Sequence, residues 1–191
     1  MTGPGDTRYY QTFYGILTDD FTTTFGDLSA HHYHLVKSYV SDAASCVSTT
    51  NWITTGVEFI YPHRIKKIYA IEGVIEGQIT LVANDAVSQV SDFQVQVIKL
   101  NADTTETVVA NTGIISVNDD GTVFAYAGSV NEEVVYPFWI DVSTPQWFGE
   151  NDRIVMKIDW DVNNSSTATV DLSHWNWAST EDIKITIPFV L

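Results

Sequence analysis

Cysteine occurs once in the 191 residues, at Cys46, so no disulfide framework can staple a single copy of the chain. Methionine occurs twice and leucine only seven times, which leaves few of the straight-chain apolar residues that helical bundles use. Basic residues number nine against 24 acidic ones, a formal charge of -15, and residues 101–191 carry three of the former and fourteen of the latter. Such a surface repels phosphate backbones and anionic lipid, so neither nucleic acid nor a membrane is an expected partner. No stretch of about 18 consecutive apolar residues is present, and residues 1–20 lack the basic-then-apolar order of a secretory signal. The chain is therefore expected to be made and kept in a cytoplasm. No nucleotide-binding, hydrolase or metalloprotease motif is found, so an enzyme is not expected and no cofactor is called for.

The residues that replace leucine are 22 Val, 17 Ile and 22 Thr, a third of the chain in β-branched side chains that lose χ1 freedom in helices and pack well on a pleated sheet. An all-β fold follows. At this length one domain buries about 70 % of the surface of its unfolded chain, and no linker or internal repeat divides it, so residues 1–191 are expected to form one domain. Gly3, Pro4 and Gly5 mark residues 1–11 as an irregular arm. Expected strands are Thr12–Leu17, Tyr33–Val40, Trp52–Ile60, Ile65–Glu76, Gln78–Ala83, Phe93–Leu100, Glu106–Val117, Thr122–Tyr126, Val134–Val142, Asp152–Val162, Thr167–Ser173 and Ile183–Val190. Turns are expected at Asn101–Asp103, Asn118–Gly121 and Asn163–Ser165.

Alternation is clearest late in the chain. Ile154, Met156, Ile158 and Trp160 share one face, while Arg153, Val155, Lys157, Asp159 and Asp161 share the other, read as wet. Ala168, Val170 and Leu172, then Ile183, Ile185 and Ile187, repeat the pattern. Antiparallel sheets with one solvated face give this signature, and about ten such strands imply a two-sheet sandwich, most simply a jelly roll.

The segment Phe148–Ile158 resembles a stretch of β-sandwich proteins from virus particles, in which a Phe-Gly turn leads through Asp-Arg into an alternating strand. Phe93–Ile98, Glu106–Ala110, Thr167–Ser173 and Ile185–Pro188 resemble the neighbouring elements, so the likeness spans roughly the last hundred residues. It implies a structural component of a tailed-phage particle, such as a head decoration, collar or tail accessory protein. That component would be located in the virion, with other copies of itself and other virion proteins as partners.

Candidate sites each carry a plainer alternative. His32 and His34 would lie on one strand face about 7 Å apart, able to share a metal, or they form a polar strand start; with Cys46 alone, no four-ligand zinc set is complete. Asp159, Asp161 and a neighbouring Asp171 have the chemistry of a glycosidase pair or a calcium loop, or they are ordinary solvated acids. Arg64, Lys66 and Lys67 hold three of the nine basic residues and form either a mate for another subunit's acidic surface or a solvated strand entry. Trp175 and Trp177, two apart, would form a platform for a sugar ring or a protein interface, or they close the core; Trp147 is a further interface or ligand candidate. Trp52, Trp139 and Trp160 are expected in the core. The alternative to the particle protein is thus a carbohydrate-binding β-sandwich for host-surface glycans.

Overall fold

In a computed structural model, residues 8–17, 33–37, 57–83, 89–116, 133–163, 170–173 and 183–191 are described. They form eleven strands: β1 Arg8–Leu17, β2 Tyr33–Val36, β3 Val57–Ile60, β4 Tyr69–Ala83, β5 Gln89–Leu100, β6 Glu106–Asn111, β7 Ile115–Ser116, β8 Glu133–Phe148, β9 Arg153–Asn163, β10 Val170–Ser173 and β11 Lys184–Val190. No helix occurs among the described residues, and the expected all-β class holds.

Hydrogen bonding runs in the order β10-β4-β11-β1-β2-β3-β9-β5-β6, with β8 also paired to β4 and β7 to β5. All pairs are antiparallel except β2 with β3, which meet in parallel at a single register pair, His34 with Ile60. The sheet curls until its flanks meet. The Phe93 ring of β5 lies 5.5 Å from that of Tyr136 on β8, and Lys99 Nζ of β5 donates to the Trp147 carbonyl of β8 at 3.3 Å. The result is one nearly barrel-shaped sheet, where two separate sheets were expected from the sequence.

One apolar core fills the interior. Phe13, Leu35, Phe59, Ile71, Ile75, Ile79, Phe93, Val95, Val97, Phe148, Ile154, Met156, Ile158, Ile185 and Ile187 are buried in it. The inward assignments of Ile154, Met156, Ile158, Ile185 and Ile187 therefore hold; the side chains of Trp160, Val170 and Leu172 lie outside the described residues.

Several boundaries differ from expectation for identifiable reasons. Residues 8–11, expected in the arm, are in β1, where Tyr9 pairs with Phe189 and Gln11 with Ile187. The two segments Ile65–Glu76 and Gln78–Ala83 merge into one long β4 that begins only at Tyr69. Glu106–Val117 is broken, because Asn111 Oδ1 accepts from the Gly113 amide at 2.8 Å and Gly113 takes a φ of 69°. The Asn101–Asp103 turn is present: the Asn101 amide donates to the Thr105 carbonyl at 2.8 Å, and Asp103 Oδ1 accepts from the Thr105 hydroxyl at 2.6 Å. The face of β9 read as wet is partly covered, since Val155 packs with Ile60 and Ile98, and buried Arg153 donates from Nε to the Pro62 carbonyl at 3.2 Å. Alternation along β9 shows that opposite faces differ, but it cannot show that a segment elsewhere covers both.

Pro188 lies inside β11 with strands on both sides, where a missing N–H breaks a ladder. Opposite it, β4 shifts register between Ile71 and Gly73 toward β8 and between Thr186 and Phe189 toward β11. Gly73 sits at that irregularity with φ 118°, and a Cβ there would lie 3.5 Å from the proline ring. The bulge absorbs the residue that cannot pair.

Candidate functional site: an exposed aromatic face

The outer surface of the wall β8-β4-β11-β1 is built by strand parity. Along β8, Tyr136, Phe138, Ile140 and Val142 point inward, so Pro137, Trp139 and Asp141 point out. Register then aligns Trp139 with Glu76 of β4, Glu76 with Thr186 of β11, and Thr186 with Thr12 of β1. Thr12 and Thr186 join their hydroxyls at 2.9 Å. A second row runs Pro137, Gln78, Lys184 and Tyr14. On the other side of Trp139, Val74 pairs with Asp141, and Tyr10 lies across from Pro188.

Trp139 is 70 % exposed and Tyr10 64 %, with Val74 exposed between them. Trp139 was expected in the core; its parity on β8 puts it on the solvent side. Glu76 stands directly opposite the indole, at the roughly 4.5–5.5 Å of cross-strand neighbours, and Asp141 follows two residues along the same face. Both carboxylates are exposed, and no ion pair holds either among the described residues. Glu72 is taken, by Arg8 Nη2 at 3.6 Å.

The residues selected from sequence do not converge. Arg64, Lys66 and Lys67 are exposed on the β3–β4 loop, far along the barrel from Trp139. Trp147 is exposed near the end of β8, while Trp175 and Trp177 lie outside the described residues, as do Trp52 and His32. His34 is fully buried on β2, the reverse of a polar strand start, and no group of three or more metal-binding side chains occurs among the described residues. Asp159 meets Lys157 Nζ at 3.9 Å, which also reaches Glu58 at 3.8 Å; the side chains of Asp161 and Asp171 lie outside the described residues.

The basic loop is firmly mounted. Ile65 is its buried peg, donating its amide to the Asp152 carbonyl at 2.9 Å and accepting from the Asn151 amide at 2.8 Å. Asp152 in turn accepts from the Gly149 amide through Oδ2 at 2.8 Å, and Asn151 adopts a φ of 71°. The Phe148–Arg153 segment is thus the β8–β9 turn, and it serves as the bracket for Arg64, Lys66 and Lys67.

At the same end of the β4–β8 wall, Tyr69 stacks on Phe148 at 5.6 Å and meets Phe189 edge-on at 4.7 Å. Burial, followed by the nearby Tyr9, Tyr61 and Asp152, pushes its phenol well above the ordinary range. These rings close one end of the barrel rather than line an open site.

No protein-family model matches the chain, and no curated protein matches it. Among solved structures it is similar in fold to an aminopeptidase from a marine-sediment Thaumarchaeota archaeon, at 13% identity and a TM-score of 0.60, over 96% of this chain and 37% of that one. A CocE/NonD family hydrolase from Staphylococcus aureus is similar at 12% identity and a TM-score of 0.53, over 97% of this chain and 37% of that one. The chain thus spans well under half the length of either enzyme, and at these identities the likeness is one of fold.

Proposed function

We propose that this chain is a non-enzymatic structural β-domain that works by docking, through the outer face of β8-β4-β11-β1, on other copies of itself and on neighbouring proteins of an assembled virus particle. The observation that carries the reading is Trp139, 70 % exposed within Glu133–Val142, a run of β8 that pairs residue for residue with β4. An indole held in water on a rigid sheet is the type of anchor that protein interfaces bury. The particle setting, and with it location in the virion, rests on the resemblance of Phe148–Ile158. The similar fold in the two hydrolases forms about a third of each chain, which suits a domain whose surface meets another folded body.

The finer architecture proposed with this function is a jelly-roll sandwich, with β8-β4-β11-β1 as one wall and β3-β9-β5-β6 as the other. Its support is the single-pair contact of β2 with β3, which makes that corner a hinge between two well-paired walls.

A second reading has one observation of its own. Trp139 beside Glu76, Gln78 and Asp141 presents a stacking ring with carboxylates and an amide, the chemistry of a sugar subsite. The test is sedimentation of wild-type and Trp139→Ala protein over a range of concentrations, alongside a glycan array. Trp139-dependent association supports docking, and Trp139-dependent glycan binding alone supports the second reading. Turnover of an ester or peptide by the pure chain refutes both.

A further inference from the structure

We infer that the occupant of the Trp139 face is the β3–β4 loop of a second copy, so that the chain assembles head to tail. This inference rests on the docking reading above and names its partner. The face offers Trp139 and Val74 with two carboxylates, Glu76 and Asp141, that have no ion pair among the described residues. The loop offers Lys66 and Lys67, both exposed, followed by Ile68, which is 63 % exposed. Each surface therefore joins an apolar contact to a net charge of opposite sign: on the face Glu76 and Asp141 outnumber the exposed Lys184 of the neighbouring row, and the loop carries Lys66 and Lys67. Opposite patches speed encounter and set register.

Three features make the match specific. Basic side chains are scarce, nine in all, and three lie within Arg64–Lys67. The loop is presented in one conformation by the Ile65 peg, so little ordering entropy is lost on docking. The loop also cannot reach its own face: Tyr69 to Glu76 is seven residues along β4, about 23 Å at strand rise, beyond a lysine side chain. A contact made between two different patches is heterologous, so each copy keeps one free loop and one free face. It closes into a ring or extends as a filament, the geometry a particle component needs. A lysine ammonium placed over the Trp139 indole between Glu76 and Asp141 gains from both the ring and the carboxylates.

The experiment uses two charge-reversal variants of the full chain, Lys66→Glu/Lys67→Glu and Glu76→Lys/Asp141→Lys, each checked for a wild-type circular dichroism spectrum and thermal midpoint. Wild-type protein should associate in sedimentation velocity, with association weakening as salt rises from about 0.05 to 0.5 M. Each variant alone should associate at least about tenfold more weakly, because like charges then face each other. An equimolar mixture should recover association, since each variant's loop is again complementary to the other's face. Recovery in the mixture alone establishes the contact. Variants that associate as wild type, or a mixture that stays monomeric, overturn it. Monomeric wild type that binds another protein through Trp139 overturns the self-contact and leaves the docking reading standing, whereas monomeric wild type that binds only a glycan through Trp139 overturns both. Trp139→Ala without effect on any binding overturns the docking reading too.

Discussion

Replacing Gly77 by alanine should destabilise the wall that carries Trp139. The added methyl would sit 2.3 Å from Cζ of the Phe138 ring and 2.6 Å from the Lys184 carbonyl oxygen. Carbon atoms pack best about 3.5–4.0 Å apart, so the ring would have to retreat by more than about 1 Å. Phe138 is buried, and the second clash is with the backbone of β11, which cannot rotate aside. Overpacking of this kind costs about 1–3 kcal/mol. Against it stands the entropy that alanine saves over glycine in a strand interior, about 0.5–1 kcal/mol. The balance should be a loss of about 1–2 kcal/mol, or a fall of about 2–8 °C in thermal midpoint for a domain of this size. Urea unfolding followed by tryptophan fluorescence measures it, with Phe138→Leu added to form a double-mutant cycle. Leucine lacks the Cζ atom, so the double variant should be more stable than the sum of the singles predicts. A Gly77→Ala protein as stable as wild type, or strict additivity in the cycle, would refute the packing argument.

Ile158→Ala removes a fully buried side chain from the core and should cost about 2–5 kcal/mol in urea unfolding. Burial pushes the Tyr136 phenol from 10.0 up to about 12. Its contribution to stability is therefore complete below pH 10 and is lost as pH rises toward 12, which a phenolate absorbance titration beside alkaline unfolding will show. Gly73→Ala should destabilise by about 1–3 kcal/mol, because its φ of 118° is closed to side chains even though the space around it is not.

Much of the wall structure was legible in the sequence, and the errors have physical causes. In β9 and β11, apolar and polar residues alternate, and that phase alone places Ile154, Met156, Ile158, Ile185 and Ile187 inward. Residue type alone sends Trp139 to the core, whereas the phase of Tyr136, Phe138, Ile140 and Val142 places it on the opposite side with Pro137 and Asp141. Phase would have found the candidate site. Pro145 also concealed the length of β8 beyond Val142; among the described residues β8 pairs with β4 alone and so tolerates both Pro137 and Pro145. Burial of His34 and Leu35 together had no local signal. Adjacent strand residues face opposite ways, and only tertiary cover buries both. The spatial separation of Arg64–Lys67 from the tryptophans likewise depends on which strands neighbour each other, which no single segment encodes.

The position of β11 between β1 and β4 sets the timing of folding during synthesis. Thr12 waits for a partner 174 residues downstream. At about 5–20 residues per second a ribosome takes roughly 10–35 s to cover that distance. Through this interval β1 and β4 each lack the neighbour that β11 will supply, and their edges are open templates for other chains. Crowded synthesis of many copies on one message thus exposes nascent chains to one another before any has its last strand. The core cannot close from the N-terminus forward, and a growing chain must be kept apart from its siblings until residues 184–190 emerge and insert between strands already made.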